Sequence, residues 1–391
     1  MKEICIIGGG AAGLTAAITI ARRGKKVTII ESMDKCGKKL SITGNGRCNY
    51  YNENQKIEKY HSNNPELIKK IITQENLEKV NVFFNSLGII PTIKDGYYYP
   101  FSKNASTILN ALIYEAKRLN VEIINNIKVE KIIKKDFYII NPDKEKIEAK
   151  KIIITTGSKA APKTGSDGSG YDLAMNLGHK IIKPTPSLVS LKGNENYFKK
   201  WSGVRTEVIL SFEKEGSIIK ENGEIQLTDQ GISGIVTFNM SNHVTKGVII
   251  KINFLPFVKE DKKNWIKKLK KLNYPINETF ERILNYKLVN VIIKKTKLQT
   301  NDFNKLTDKE LNNLINNLFD FEFKVTELGS FDKAQVCKGG IPLTQININT
   351  FESQIVKNLY FAGEIIDING DCGGYNLTFA WISGIKVGEN I

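Results

Sequence analysis

The sequence predicts an α/β fold whose main domain is assembled from the two ends of the chain, and three observations point there. A short apolar strand, Glu3 to Ile7, runs directly into G-G-G-A-A-G and a helical stretch that reaches Arg23. A second apolar run, Val27 to Ile30, ends in Glu31. Close to the other terminus, NLYFAGEIIDINGDCGGYNLTFAWISG again reads as strand, glycine loop and helix.

The first of these is a βαβ beginning. In Gly8-x-Gly10-x-x-Gly13, the first glycine permits a tight turn and the second lets a pyrophosphate approach the backbone. The third lets helix and strand pack closely. The helix start offers free N–H groups and partial positive charge to phosphates. Glu31 lies 18 residues after Gly13, where a carboxylate can accept hydrogen bonds from adenosine ribose hydroxyls. An acid there disfavours a 2′-phosphate, so NADP is the wrong ligand for this turn. In the tail, a strand ends in Ala362-Gly363-Glu364, and Gly370, Gly373 and Gly374 open a helix from about Asn376. This second glycine-opened helix start is either a plain strand–turn–helix closing the sheet or a site for the far end of a long ligand, at ribityl hydroxyls and the flavin N1–C2 carbonyl, where negative charge develops on reduction.

Between the ends, residues 37–49, GKKLSITGNGRCN, form a polar glycine-rich loop. Asn104 to Leu119 keeps helical spacing in Ile108, Leu109, Leu112, Ile113 and Ala116. Strands are expected at Val121–Ile124, Val129–Ile133, Phe137–Ile140 and Lys151–Thr155. From Leu188 to about Pro256 the chain is rich in β-branched runs, with turn signals at Glu215-Gly216 and Asn222-Gly223. From Lys259 to Phe321 it is lysine-rich and helical in pattern. The segment Gly165-Ser-Asp-Gly168-Ser-Gly170-Tyr171 has the wrong spacing for a nicotinamide fingerprint, and no second G-x-G-x-x-G occurs, so no separate NAD(P)H domain is expected.

With 391 residues, two or three domains are expected. No secretory leader and no run of about 20 apolar residues is present, which predicts a cytoplasmic protein without a membrane span. A net charge of +16 invites nucleic acid, but only six of the 57 basic residues are arginine (Arg22, Arg23, Arg47, Arg118, Arg205, Arg282). Arginine is the residue expected where phosphates and bases are gripped bidentately, so a solvated lysine surface is the better reading and a nucleic-acid partner the weaker one. Five cysteines without C-x-x-C spacing and three scattered histidines argue against a metal site.

The segments GKKLSITGNGRCN, YYYPFSKNASTILNAL, LTDQGISGI and YFAGEIIDINGDCGGYNLTFAWISG resemble one bacterial flavoprotein family, in order from first strand to last helix. That family includes aminoacetone oxidases and 3-dehydro-bile-acid reductases. The resemblance implies a Rossmann-like FAD-binding domain from residues 1–187 and 338–391, an inserted mostly-β domain from 188–257 and 322–337, and a small helical domain from 258–321. It departs from the family at Asn45, often glycine, and at Cys372, often threonine.

By position, the resemblance implies that Gly8, Gly10, Ala12 and Gly13 line the pyrophosphate turn and that Glu31 holds the ribose. Lys38, Lys39, Gly44, Asn45, Gly46, Arg47, Cys48 and Asn49 would border phosphates and flavin. Val129 would offer its backbone to adenine, and Thr156-Gly157 would end the strand beneath the cofactor. Gly363, Glu364, Asp371, Gly374, Asn376 and Leu377 would close over ribityl and flavin. Arg47, Cys48 and Tyr375 are the catalytic candidates. Arg47 could stabilise an anionic reduced flavin, and Tyr375 could donate a proton. Cys48 is either a thiol near the isoalloxazine or a small buried hydrophobe, the second reading being favoured for want of an activating partner. His179 reads as a capping residue. The expected chemistry moves a hydride through flavin N5, with a small-molecule substrate and NAD(P)H as a transient donor. Either an enone-type substrate is reduced or a small amine is oxidised; the alternative is an RNA-modifying flavoprotein.

Overall fold

The chain, described from Met1 to Ile391 in a computed structural model, divides into two compact units. One joins Met1–Ser187 to Phe331–Ile391, and the other is Leu188–Ser330. The return to the first unit comes at Phe331, where the sequence suggested 338.

In the first unit, β1 (Lys2–Ile7) leads into α1 (Ala11–Arg22) and then β2 (Val27–Ile30). Ile4–Ile7 of β1 and all of β2 are buried without alternation, as a parallel sheet covered on two faces requires. β1 pairs in parallel with β2 on one side and with Ile147–Ile154 on the other. Glu122–Ile124 extends the parallel sheet beyond β2. At the opposite side Leu359–Phe361, from the C-terminal segment, pairs in parallel with Ile152–Ile154. The start of Ile147–Ile154 pairs instead with Tyr138–Ile140, which pairs in turn with Ile132–Lys134, both antiparallel. Because the chain leaves β1 to one side and returns on the other, a crevice opens outside the carboxyl ends of β1 and Ile147–Ile154.

The C-terminal helix Tyr375–Asn390 lies against α1 with almost no spacing between backbones. A Cβ on Gly384 would stand 2.7 Å from the Ala12 carbonyl oxygen, and one on Gly388 would stand 2.4 Å from Thr19 Cβ. Trp381, fully buried on the same helix, donates its indole N–H to Tyr50 O at 2.9 Å.

The second unit is a seven-stranded antiparallel sheet built around Arg205–Lys214 and Ser217–Leu227. Their hairpin turns at Glu215 (φ +51°) and Gly216 (φ +76°), the paired left-handed residues of a type I′ turn. The expected turn at Asn222-Gly223 is absent. The strand runs through it, with Asn222 opposite Ile209 and Gly223 opposite Val208. The helices Lys262–Lys270, Ile276–Glu281, Tyr286–Thr296 and Asp308–Phe319 share one hydrophobic core with this sheet, through Ile266, Phe280, Leu288, Ile292 and Leu318. The lysine-rich stretch is therefore a cover on the β-sheet and not a core of its own.

Candidate functional site

The crevice is built from backbone first. The first helical bond of α1 runs from Leu14 N–H to Gly10 O at 2.9 Å, so the N–H groups of Ala11, Ala12 and Gly13 face out of the helix start. A Cβ on Gly13 would meet Gly8 O at 2.1 Å and Thr155 Oγ1 at 2.7 Å. One on Gly10 would meet nothing within 4 Å. The turn is packed hard against its own sheet at Gly13 and open at Gly10, where an outside group can approach.

Glu31 is 8% exposed and sits directly behind that turn. One carboxylate oxygen accepts from Gly9 N–H at 2.7 Å, and the other accepts from Met33 N–H at 2.8 Å. Ionised, the group still has acceptor capacity for hydroxyls. Next to it Ile127 N–H bonds Glu31 O at 3.0 Å. Asn141 grips the following loop, accepting from Glu130 N–H and donating to Lys128 O, both at 2.8 Å. The peptide edge of Val129 is held between these two clamps with its side chain buried.

The two chain ends meet beyond the turn. Gly363, at φ +77°, follows Leu359–Phe361, and a Cβ there would stand 2.9 Å from Ala12 Cβ. Lys39 pairs with Glu364 at 2.6 Å, and Ser158 Oγ donates to the same carboxylate oxygen at 3.3 Å. Lys38 instead pairs with exposed Asp34 at 2.6 Å. Gly157, at φ +76°, lies 4.0 Å by its missing Cβ from Glu364 Oε2. Thr156 Oγ1 and Tyr171 OH are buried and have no partner. Burial, with Cys337, Glu364 and Asp367 nearby, raises the Tyr171 pKa.

The second helix start shows the same pattern. Its first bond runs from Thr378 N–H to Gly374 O at 2.9 Å, which leaves the N–H groups of Tyr375, Asn376 and half-buried Leu377 facing outward. Because Gly384 stands level with Ala12 and Gly388 with Thr19, the two helices run in the same direction. The C-terminal helix therefore begins about five to eight residues further out than α1, or roughly 8–12 Å at 1.5 Å per residue. Two donor-rich helix starts, staggered along one crevice, fit the two halves of an extended dinucleotide such as FAD.

α2 (Lys38–Gly46) breaks at Thr43, and Gly44 and Asn45 adopt left-handed backbone at φ +56° and +55°. Asparagine tolerates that region, so Asn45 keeps the local turn that glycine would give. Gly46 is also left-handed, at φ +77°. Arg47 follows, exposed and outside every ion pair. Cys48 is fully buried, and burial pushes its thiol up to about 12 against an opposing contact from Thr43. It is a small core residue, not a thiolate at the cofactor face.

Three tail residues turn out to be structural in their side chains. Asn376 accepts from Gly370 N–H at 2.7 Å and donates to Gly370 O at 2.8 Å, closing its own loop. Tyr375 donates to Asn54 O at 3.0 Å and stands edge-on to Tyr60, which commits the proposed proton donor to the backbone. Asp371, 2% exposed, is met by Lys59 at 2.9 Å and His61 at 2.8 Å. Burial alone would raise its carboxyl, but the hydrogen bonds and charges of His61 and Lys59 outweigh it and hold the pKa below the usual range. The stabilisation is thus present above the ordinary carboxylate value and lost as pH falls through the lowered one. Acid titration by circular dichroism should show Asp371→Asn less stable than wild type at neutral pH and the gap closing below about pH 4. A gap independent of pH would refute this assignment. Asn49 bridges the parts, donating to Tyr51 O at 2.8 Å beside Gly374. His179 is buried against Ser353 Oγ at 2.8 Å, and burial lowers its pKa.

Sequence reasoning missed Ser158, Tyr171 and the Lys59–His61 pair, which carry no local motif and become neighbours of the tail only through the fold. The Gly165–Gly170 segment opens the helix Ser169–Asn176, whose start packs against Thr156. A Cβ on Gly170 would meet Thr156 Oγ1 at 1.8 Å.

A family model described as HI0933-like protein Rossmann domain matches residues 2–390. The 3-dehydro-bile acid delta(4,6)-reductase of Clostridium scindens is 35% identical over 404 residues, covering 100% of this chain and 98% of that protein. The ribosomal RNA dihydrouridine synthase of Haemophilus influenzae is 26% identical over 390 residues, covering 98% and 96%. Among solved structures, a flavocytochrome c3 fumarate reductase aligns with TM-score 0.52 at 14% identity over 100% of this chain and 78% of its own. The 3-ketosteroid-delta4-(5alpha)-dehydrogenase of Rhodococcus jostii RHA1 aligns with TM-score 0.51 at 12% identity, covering 99% and 95%. At these identities the two structures share the fold. No helix is long and apolar enough to cross a membrane.

Proposed function

The chain belongs to the HI0933-like family of FAD-binding Rossmann oxidoreductases, and from that premise we propose that it reduces a carbon–carbon double bond conjugated to a carbonyl, with NAD(P)H as transient donor. The observation that carries this reading is the full-length relationship, at 35% identity, to a reductase named for the delta(4,6) double bonds of a 3-dehydro substrate. Dihydrouridine, named in the more distant relatives, also differs from uridine by saturation of a double bond beside a carbonyl. The reaction class is thus shared where the substrates differ in size.

The roles follow from the crevice. The outward N–H groups of Ala11, Ala12 and Gly13 would hold the pyrophosphate, with Gly10 leaving room for it and Gly8 letting the turn pack against the Thr155–Thr156 backbone. Glu31 accepts from the ribose hydroxyls, and the Val129 peptide edge meets adenine. Gly157, Gly363 and the Lys39–Glu364 pair would flank the ribityl chain, while Thr156 Oγ1 is buried behind them against Gly170. The outward N–H groups of Tyr375, Asn376 and Leu377 would hold the ring end of FAD, and their partial positive charge would favour negative charge there. Asp371, through Lys59, and Gly374 would shape the loop at the ring end. When bound, FAD supplies the hydride chemistry itself. Arg47, unpaired and exposed beside the ring end, adds a fixed positive charge for developing negative charge on the substrate.

The test is anaerobic stopped-flow absorption. Bleaching of the flavin by NADH or NADPH, followed by recovery of the colour on adding an enone and not on adding water alone, is the expected result. Bleaching by aminoacetone, with recovery only on admitting oxygen, would replace this reading with amine oxidation.

A second reading, RNA modification, draws on the two ribosomal RNA dihydrouridine synthases at 26% and 25% identity and on the net charge of +16. It requires retention of ribosomal RNA on a filter at physiological salt. Absence of such binding removes it.

A further inference from the structure

The hairpin Pro91–Lys94 and Tyr97–Pro100 carries three successive tyrosines whose rings are divided between two faces. Side chains alternate along a strand, so Tyr97 and Tyr99 share one face and Tyr98 takes the other. Tyr98 faces inward, edge-on to Tyr51 at 5.3 Å and to Tyr50 at 6.3 Å between ring centres. Tyr97 lies over the glycine turn of the tail, where a Cβ on Gly373 would meet its Cε1 at 2.8 Å. Tyr51 and Tyr98 are paired across adjacent strands, and Gly374 packs 3.1 Å from the Tyr51 carbonyl carbon by its missing Cβ. The tyrosine strand is thus fixed directly beside the second helix start. Tyr99, half-buried, has Tyr97 and the Arg47 charge as its titratable neighbours; burial raises its pKa most, Tyr97 adds to this and Arg47 opposes it. Neither the Tyr97 nor the Tyr99 hydroxyl is committed to a protein acceptor, in contrast with Tyr375, whose hydroxyl is held by Asn54 O.

We propose that Tyr97 and Tyr99, with Arg47, form the wall that holds the substrate carbonyl, their phenols donating hydrogen bonds to its oxygen. The proposal rests on the enone reading above and names the residues that make it work. In the reduction, the β-carbon of the substrate takes up a hydride and the C=C electron pair shifts toward the carbonyl. The oxygen becomes an enolate, stabilised by the two phenols and the guanidinium. The α-carbon then takes a proton from water. NAD(P)H supplies the two electrons, so the balance closes with one hydride and one proton added across the double bond and NAD(P)⁺ as the oxidised product. Neutral phenols suit this task, since an O–H strengthens its bond as the carbonyl oxygen gains charge.

The test uses the FAD-loaded protein and 4-androstene-3,17-dione as a 4-en-3-one probe. In the oxidised wild type, a polarised carbonyl shifts the probe's ultraviolet band to longer wavelength. The Tyr97→Phe/Tyr99→Phe double variant should lose that shift and slow reoxidation of the pre-reduced protein by the probe by on the order of 100-fold or more. Reoxidation by ferricyanide, which has no carbonyl, should be unchanged, as should flavin content. Tyr98→Phe, on the opposite face, should behave as wild type in all four measurements. A double variant that retains the shift and the rate would overturn the proposal while leaving the enone reading intact. Equal slowing with both acceptors, or loss of flavin, would also overturn it by making the tyrosines part of the cofactor's support. A wild type that neither shifts the probe nor is reoxidised by it would overturn the enone reading, and this proposal with it.

Discussion

Gly10→Ala should leave the cofactor-free fold as stable as wild type and weaken FAD binding by roughly 10- to 100-fold, about 1.4 to 2.8 kcal/mol. Gly13→Ala should do the reverse in kind and destabilise the fold itself. The difference lies in what the new methyl meets. At Gly10 it enters space with no protein atom within 4 Å, on the outer side of the helix start where the pyrophosphate is proposed to lie. At Gly13 it falls 2.1 Å from a backbone oxygen, Gly8 O, that cannot swing aside. Overpacking of this kind costs about 3 kcal/mol or more, a drop in Tm of roughly 5 °C. Thermal melts of apoprotein together with FAD titrations separate the two. An unchanged FAD affinity for Gly10→Ala would mean that no phosphate lies there.

Glu31→Ala should have the second large effect, raising the Kd for FAD by roughly 10- to 100-fold through loss of the ribose acceptor. It should also destabilise the apoprotein by about 1–3 kcal/mol, because Gly9 N–H and Met33 N–H lose their acceptor together. Glu31→Gln should fall between, since an amide oxygen can serve one of these donors while its NH2 faces the other. Isothermal titration of apoprotein with FAD checks this. Equal affinities for all three proteins would detach Glu31 from the ribose.

The parallel βαβ beginning was legible because its residues report on one another locally: apolar strand, glycine spacing, helix and Glu31 all lie within one short stretch. The C-terminal strand and helix were legible for the same reason. Side-chain roles in the tail were less so. Asp371, Tyr375 and Asn376 sit at the right place in the chain, yet their polar atoms are taken by Lys59 and His61, by Asn54 O, and by the Gly370 peptide. Such partners are distant or backbone groups, which no spacing rule reveals.

Two further differences have simple causes. Asn222-Gly223 is a strong turn signal by composition, but ten paired positions with Arg205–Lys214 hold it in a strand. The Lys262–Phe319 helices show apolar faces in sequence, but periodicity does not say what a face covers; here it is the sheet containing Phe321 and Phe323. Arg47 was singled out from sequence alone. Tyr97 and Tyr99 were not, because their segment served only to carry the resemblance and the strand alternation that divides the three tyrosines comes with the hairpin.

The staggered helix starts are tested most directly by comparing FAD with ADP on a Gly374→Ala variant. Gly374 opens the outer helix at φ +93°, far from the turn at Gly10 and beside the proposed ring end. The expected result is weakened FAD binding with ADP affinity unchanged, since ADP reaches only α1, Glu31 and Val129. Equal loss for both ligands, or no loss for either, would contradict the assignment of the two helix starts to opposite halves of one molecule.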